Sequence, residues 1–188
     1  MPGLIGATPE RIFSTFRDHL ASLLNGTITD ARLGLVVYGK EATIAFGSAD
    51  RPEAALLRSG RWFLALGQNL RAIRQGERSW RLRTIQYRYR IQGARSEDDP
   101  WYLRFEYVSR EIRRSLYPRH HLHLPLELSC GNRCVDLGEA HIPTGWVTVE
   151  ELIRFLIQGL GVRPRKGNWD KLLRDSEEKF SEWTQREV

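Results

Sequence analysis

The sequence predicts an α+β fold: an antiparallel sheet of about five strands packed against helices, with a C-terminal amphipathic helix. Three observations carry this. Residues 79–91 and 101–108 alternate apolar with polar, as half-buried strands do. Two segments, near residues 8–26 and 148–160, carry apolar stripes at helical spacing behind capping residues. Between the first helix and that alternating region, Gly39-Lys40 joins two β-rich runs as a hairpin turn does.

Taken in order, Thr8-Pro9-Glu10 opens the first helix. Thr caps, Pro occupies the first turn where its missing N–H is harmless, and Glu favours the positive end of the helix dipole. Ile12, Phe13, Phe16, Leu20, Leu23 and Leu24 form its stripe, and Asn25-Gly26 stops it. Arg32 to Tyr38 and Ala42 to Phe46 make the hairpin. After Asp50-Arg51-Pro52 the spacing of Trp62, Phe63, Leu66, Leu70 and Ile73 predicts a second helix, interrupted by Gly60 and Gly67. A strand follows with Ile85, Tyr87, Tyr89 and Ile91 on its core face and Gln86, Arg88 and Arg90 on the other. The next strand sets Trp101, Leu103, Phe105 and Tyr107 inward against Tyr102, Arg104, Glu106 and Val108 outward. Past a basic connection with Arg110, Arg113 and Arg114, and past Arg119, a third strand puts His120, Leu122, Leu124, Leu126 and Leu128 on one face. His121, His123 and Glu127 fall on its other face, and Pro125 suggests an edge position. Thr148 with Glu151 makes a capping box for the helix carrying Val149, Leu152, Ile153, Leu156 and Leu160, which Gly161 ends. A basic linker, Arg163 to Gly167, leads to a last helix capped by Asn168, with Trp169, Leu172, Leu173, Ser176, Phe180 and Trp183 aligned. Residues 1–162 therefore read as a single α+β domain, and 163–188 as a linker and helix docked on it.

Composition narrows the function classes. Of 29 cationic residues 25 are Arg and 4 are Lys, and the net charge is +6. Guanidinium pairs bidentately with phosphate and stacks on bases, which suits nucleic acid, although a GC-rich genome, favouring Arg codons everywhere, yields the same count. The longest apolar stretches, Leu33 to Tyr38 and Leu152 to Ile157, fall far short of the ~20 residues of a membrane span. With no basic-then-apolar leader at Met1 to Ile5, a cytoplasmic location is expected. Cys130 and Cys134 flank a three-residue turn and admit reduced, disulfide-bonded or metal-bound states.

If the three middle strands are neighbours, their outward residues share one surface: Arg88, Arg90, Arg104, Glu106, His121, His123 and Glu127. His121 and His123 lie about 7 Å apart along a strand, enough to span a phosphate. In metal-independent RNA cleavage they and Glu106 move protons, and Arg104 stabilises the charged phosphorane. The candidate catalytic residues are His121, His123, Glu106 and Arg104. Nucleic-acid contacts are expected from Arg88, Arg90, Arg110, Arg113, Arg114 and Arg119. Two rivals stand beside this reading: a solvated face of Arg-Glu pairs, each worth well under ~1 kcal/mol, and a metal on the His-x-His strand. No cofactor is expected, since three convergent arginines disfavour a divalent cation. Any metal would use His121 and His123, with His141, Glu106 or Glu127 as a third ligand. His120 is expected in the core, Tyr87 and Tyr89 are assigned to packing rather than base stacking, and Trp146 to stapling the following helix to the core.

The order Arg104-Phe105-Glu106-Tyr107, a basic connection, Tyr117-Pro118-Arg119-His120-His121-Leu122-His123, then Pro143-Thr144-Gly145 before a Leu-rich helix resembles small bacterial toxin-antitoxin families of the TumE type over residues 85–160. Those carry an Arg-Tyr/Phe-Asp signature, a His-rich strand and a similar helix. This chain departs from them in its N-terminal helix and hairpin, its C-terminal basic helix, and Glu106 where Asp is usual. The resemblance implies a toxin-like, RNA-directed protein encoded beside an antitoxin, with Arg104, Glu106, His121 and His123 as the matching polar positions.

The function expected from these readings is a nucleic-acid-directed, metal-independent ribonuclease-like toxin or defence domain. The alternatives are a non-catalytic binding module and a metal-dependent hydrolase. Expected partners are RNA or another nucleic acid, an antitoxin or other protein meeting the C-terminal helix, and a second copy of the chain, but no membrane.

Overall fold

The computed structural model describes residues 5–48, 51–77, 79–96, 99–110 and 117–183. Helix α1 (Pro9–Thr27) lies between a two-residue strand β1 (Ile5–Gly6) and the hairpin of β2 (Leu33–Tyr38) and β3 (Glu41–Ser48). Two short strands, β4 (Arg51–Pro52) and β5 (Ala55–Leu56), precede the long antiparallel pair β6 (Phe63–Arg74) and β7 (Trp80–Gln92). Then come β8 (Trp101–Val108), β9 (His120–His123), a small hairpin of β10 (Glu127–Cys130) and β11 (Arg133–Asp136), β12 (Ile142–Pro143), α2 (Val149–Gln158) and α3 (Trp169–Trp183).

Seven strands form one continuous path in the order β12-β9-β8-β7-β6-β3-β2, with β1, β4 and β5 attached to β7, β3 and β6. All pairings are antiparallel. The fold class is α+β as expected, but the sheet is larger than about five strands. Helix α1 packs on β2, β3, β6 and β7, and α3 lies against α1 and α2. All three helices thus cover one face of the sheet. Phe13, Phe16, Leu20 and Leu24 of α1 meet Ile44, Leu64, Leu66, Tyr87 and Ile91 of the sheet and Leu152, Ile153 and Leu156 of α2 in one core. Tyr87 and Tyr89, stacked at 4.6 Å between centroids, are inside it. The Tyr87 hydroxyl accepts a hydrogen bond from the Val147 N–H, and Trp146 packs edge-on against the same ring. The capping box forms as the sequence predicts, with Thr148 accepting from the Glu151 N–H and Glu151 from the Thr148 N–H.

Three expectations are overturned. Residues 63–74 are not a helix but the longest partner of β7, and their even-numbered positions are buried. Leu66 and Leu70, four apart, satisfy both the helical and the strand period. Leu64 and Ala72, which decide between them, are buried, whereas Ile73 of the helical stripe is only half-buried. Gly67 and the buried Gln68, whose Nε2 donates to the Tyr89 hydroxyl at 2.8 Å, disguise the alternation in the sequence. The third middle strand also stops early. It ends at His123, and residues 127–130 turn away to pair with 133–136, which leaves Leu126 and Leu128 exposed rather than in the core. Pro125 cannot donate to a ladder, and the break falls there. Nor is β9 an edge, because β12 pairs with its other side.

Helices α1, α2 and α3 meet around a buried polar chain: the Ser176 hydroxyl donates to Glu150 and lies 2.8 Å from His19 Nε2. Burial raises the Glu150 carboxyl above its ordinary value, against the hydrogen bond from Ser176. A carboxyl raised on folding contributes stability that is full below its unfolded value and is lost as pH rises through the folded one. Glu150→Gln keeps the acceptor without the charge. Its stability relative to wild type should therefore improve steadily from pH 4 to pH 8 in urea titrations. A pH-independent difference would show that Glu150 ionises without cost.

Candidate functional site

The face of the sheet opposite the helices carries the polar residues, and the strand register sorts them into rows. Gly67 stands opposite Arg88, Arg88 opposite Glu106, and Glu106 opposite His121. The next row on the same face runs Ala65, Arg90, Arg104, His123. The three middle strands are therefore neighbours, the condition on which the sequence reading depended.

Glu106 is the hub. Its Oε1 lies 2.7 Å from Arg88 Nε and 3.1 Å from Arg104 Nε. Its Oε2 turns the other way, 3.2 Å from His121 Nε2 and 3.6 Å from His123 Nε2. Burial works to raise the Glu106 carboxyl, but the Arg104 and Arg88 guanidiniums outweigh it and hold it below the usual carboxylate range. Burial and then the Arg104 charge push His123 down to about 4, so its ring is neutral at pH 7.

The two histidines are not spread along an exposed strand as expected. Their rings converge to 4.9 Å between centroids, and they are only 1% and 5% exposed. A lid covers them. His141, on the approach to β12, packs 4.9 Å from His121 and 4.5 Å from His123, and Tyr117 lies over His141 and His121 at 4.2 and 5.0 Å. The ligand-type atoms of His121, His123 and His141 all fall within 4.8 Å of one another.

A bulge adjusts the other end of the site. The register slips between Ile91 and Gln92, which sets Gln92 opposite Trp101 and passes over Tyr102. Trp101, expected on the core face, instead packs 4.8 Å beneath the Arg104 guanidinium and edge-on to His123. Bulges re-aim side chains in this way beside functional sites.

Towards β3 the face opens into a groove of about 210 Å³, lined by Ala45, Ala65, Gly67, Asn69, Gln86, Arg88 and Arg90 among others. Nothing lies within 4 Å of where a Cβ on Gly67 would sit, so the groove floor is backbone. Along one wall Thr43 donates to Asn69 and Asn69 to Gln86, an amide ladder across three strands. Sequence reasoning missed this groove because it placed residues 62–73 on a helix.

The remaining assignments separate. Arg88, Arg90 and Arg104 belong to the face. Arg119 does not, because its Nη2 donates to the Tyr107 hydroxyl at 3.3 Å and its guanidinium lies over that core-side ring. Arg110 is exposed just past β8. Arg113 and Arg114 lie outside the described residues. Glu127 is carried off by the β10-β11 hairpin, where it accepts from the exposed, free thiol of Cys134 at 3.4 Å. His120 is half-buried on the other face, stacked on Tyr107 and near Trp146. No helix among the described residues is long and apolar enough to cross a membrane.

No protein-family model, curated protein or solved structure matches this chain.

Proposed function

We propose that this face cleaves phosphodiester bonds in a nucleic acid, with RNA as the leading substrate. The observation that carries the reading is the pair of adjacent cross-strand rows, Arg88-Glu106-His121 and Arg90-Arg104-His123, on one face. Arg88 is more than half exposed while held by Glu106, so its orientation is set before a ligand arrives. That suits a fork aimed at phosphate oxygens. Arg104, pinned between Trp101 and Glu106, is placed to meet negative charge as it develops on the phosphorus. Glu106, ionised, accepts from Arg88 on Oε1 and lies within hydrogen-bonding range of His121 Nε2 on Oε2; it is the proton acceptor. His121 and His123 are too deeply covered by Tyr117 and His141 to receive a phosphate between them, so the direct acid-base roles expected of them pass to Glu106. The groove over Ala65 and Gly67 takes the neighbouring nucleotide, with flat backbone under a base and the Asn69-Gln86 amides at its edge. The likeness to TumE-type proteins points to the same RNA-directed class.

The test is product formation from end-labelled RNA and DNA oligonucleotides by the full chain, beside Arg88→Met and Arg104→Met. Cleavage is expected, slowed at least about tenfold by Arg104→Met. Both variants should bind with a shallower dependence on salt, because each removes one phosphate contact. Salt-sensitive binding without product would make the protein a binding module. Neither binding nor product would overturn the reading altogether.

A further inference from the structure

We infer that His121, His123 and His141 form a binding site for a late first-row divalent cation, zinc foremost. This rests on the site proposed above and adds the group that activates its water. Four observations on these three side chains point to it.

The first is convergence. Their candidate ligand atoms lie within 4.8 Å of one another, and a tetrahedral ion bound at 2.0–2.1 Å needs neighbouring nitrogens roughly 3.3 Å apart. Closing that difference takes small rotations of three rings, one of which stands on the short approach to β12.

The second is orientation. His121 Nδ1 lies 2.8 Å from the Pro118 carbonyl and His141 Nδ1 lies 3.2 Å from the Glu139 carbonyl. A carbonyl only accepts, so both Nδ1 atoms carry the proton and Nε2 is the atom each ring can offer a cation; that of His121 lies 3.2 Å from Glu106 Oε2, a contact a bound ion would replace. A backbone carbonyl holding the far nitrogen is the arrangement that orients metal-bound histidines.

The third is an unmet need. His123 is 95% buried by its 5% exposure, and its Nε2 makes no hydrogen bond. Its approach to Glu106 Oε2, 3.6 Å, is too long to be one. A buried ring nitrogen without a hydrogen bond, on an imidazole packed against two others, is costly unless something binds there.

The fourth is the position of the charges. The sequence argument against a cation was the three arginines. Arg88 and Arg104 approach Glu106 on Oε1, while Oε2 faces the imidazoles. The carboxylate thus sets a negative charge beside the rings that opposes, without cancelling, the Arg104 charge acting on His123.

Three imidazole ligands favour zinc and its neighbours over magnesium or calcium, which take oxygen donors. Three protein ligands leave a fourth position for water, as catalytic zinc sites do. Glu106 Oε2, 3.2 Å from His121 Nε2 and 3.6 Å from His123 Nε2, stands where it would take the proton of such a water. With the phosphate held outside the rings by Arg88 and Arg104, that water's oxygen would bond to phosphorus as the bond to the leaving oxygen breaks, and Glu106 would return the proton to the leaving oxygen. Water and phosphodiester give a phosphomonoester and an alcohol.

Metal binding is measured without substrate, so its outcome is separate from that of the nuclease reading. The full chain is stripped with chelator, dialysed, and titrated with zinc chloride or cobalt chloride. Expected are one zinc per chain by elemental analysis after gel filtration and the visible absorption of tetrahedral cobalt. His123→Ala and His141→Ala should weaken zinc binding at least about 100-fold, since each removes one of three ligands. His120→Ala, adjacent in sequence but on the other face, should leave binding unchanged. Because substitutions at buried His123 threaten folding, His141→Ala, on a half-buried residue, is the decisive variant, with its fold checked by circular dichroism. Sub-stoichiometric zinc in the wild type, or equal affinity in folded His141→Ala, overturns the site. Stoichiometric zinc with no cleavage of any oligonucleotide upholds the site and counts against the nuclease reading.

Discussion

Glu106→Gln is expected to lower the rate of oligonucleotide cleavage at least about 100-fold, roughly 2.7 kcal/mol of transition-state stabilisation, while the protein stays folded. The carboxylate stands at the crossing of every polar interaction in the site: two guanidiniums on Oε1 and two imidazoles at Oε2. An amide of the same shape keeps a carbonyl for one arginine but cannot take a proton from water. The fold should lose about 1–3 kcal/mol, the usual worth of a hydrogen bond to a charged group, visible as a modest fall in melting temperature. Since the three histidines are untouched, zinc content should be that of the wild type. Wild-type cleavage by folded Glu106→Gln would remove this residue from the chemistry.

Leu64→Ala should cost about 3 kcal/mol in urea denaturation, within the range for truncating a buried leucine. Ile73→Ala should cost under about 1.5 kcal/mol. The pair separates the two readings of residues 62–73. A helical stripe through Trp62, Phe63, Leu66, Leu70 and Ile73 makes Ile73 a core residue and leaves Leu64 off the stripe. In the strand, Leu64 is fully buried in the core while Ile73 is half-buried near the end of β6. Equal costs would undo that assignment and with it the groove, whose floor is Ala65 and Gly67.

Much of the architecture is legible without coordinates. The Thr8 and Thr148 caps, the turn at Gly39 with its positive φ, and the alternation through β7 and β8 are local features, each decided within a few residues of chain. The helix expected over 62–73 is absent because Leu66 and Leu70 obey both periods, and what chose between them was the long antiparallel partner supplied by β7. The extension of the third strand through Leu128 failed at Pro125, and the residues beyond it found partners three to nine positions downstream instead.

The site divides along the same line. The sequence by itself determined which residues share a face: Arg88 with Arg90, Arg104 with Glu106, His121 with His123, because a period of two is a property of one strand. Only the tertiary structure decided that these three pairs stand in register, that a bulge brings Trp101 under Arg104, and that His141 and Tyr117 close over two histidines expected in solvent. Pairing partners are set by contacts between segments far apart in the chain, and those contacts are settled by burying the opposite face of the sheet against the helices. Thus the face read as an exposed acid-base pair became a covered cluster of three imidazoles beside a carboxylate. That change moves the proposed proton acceptor from His121 and His123 to Glu106.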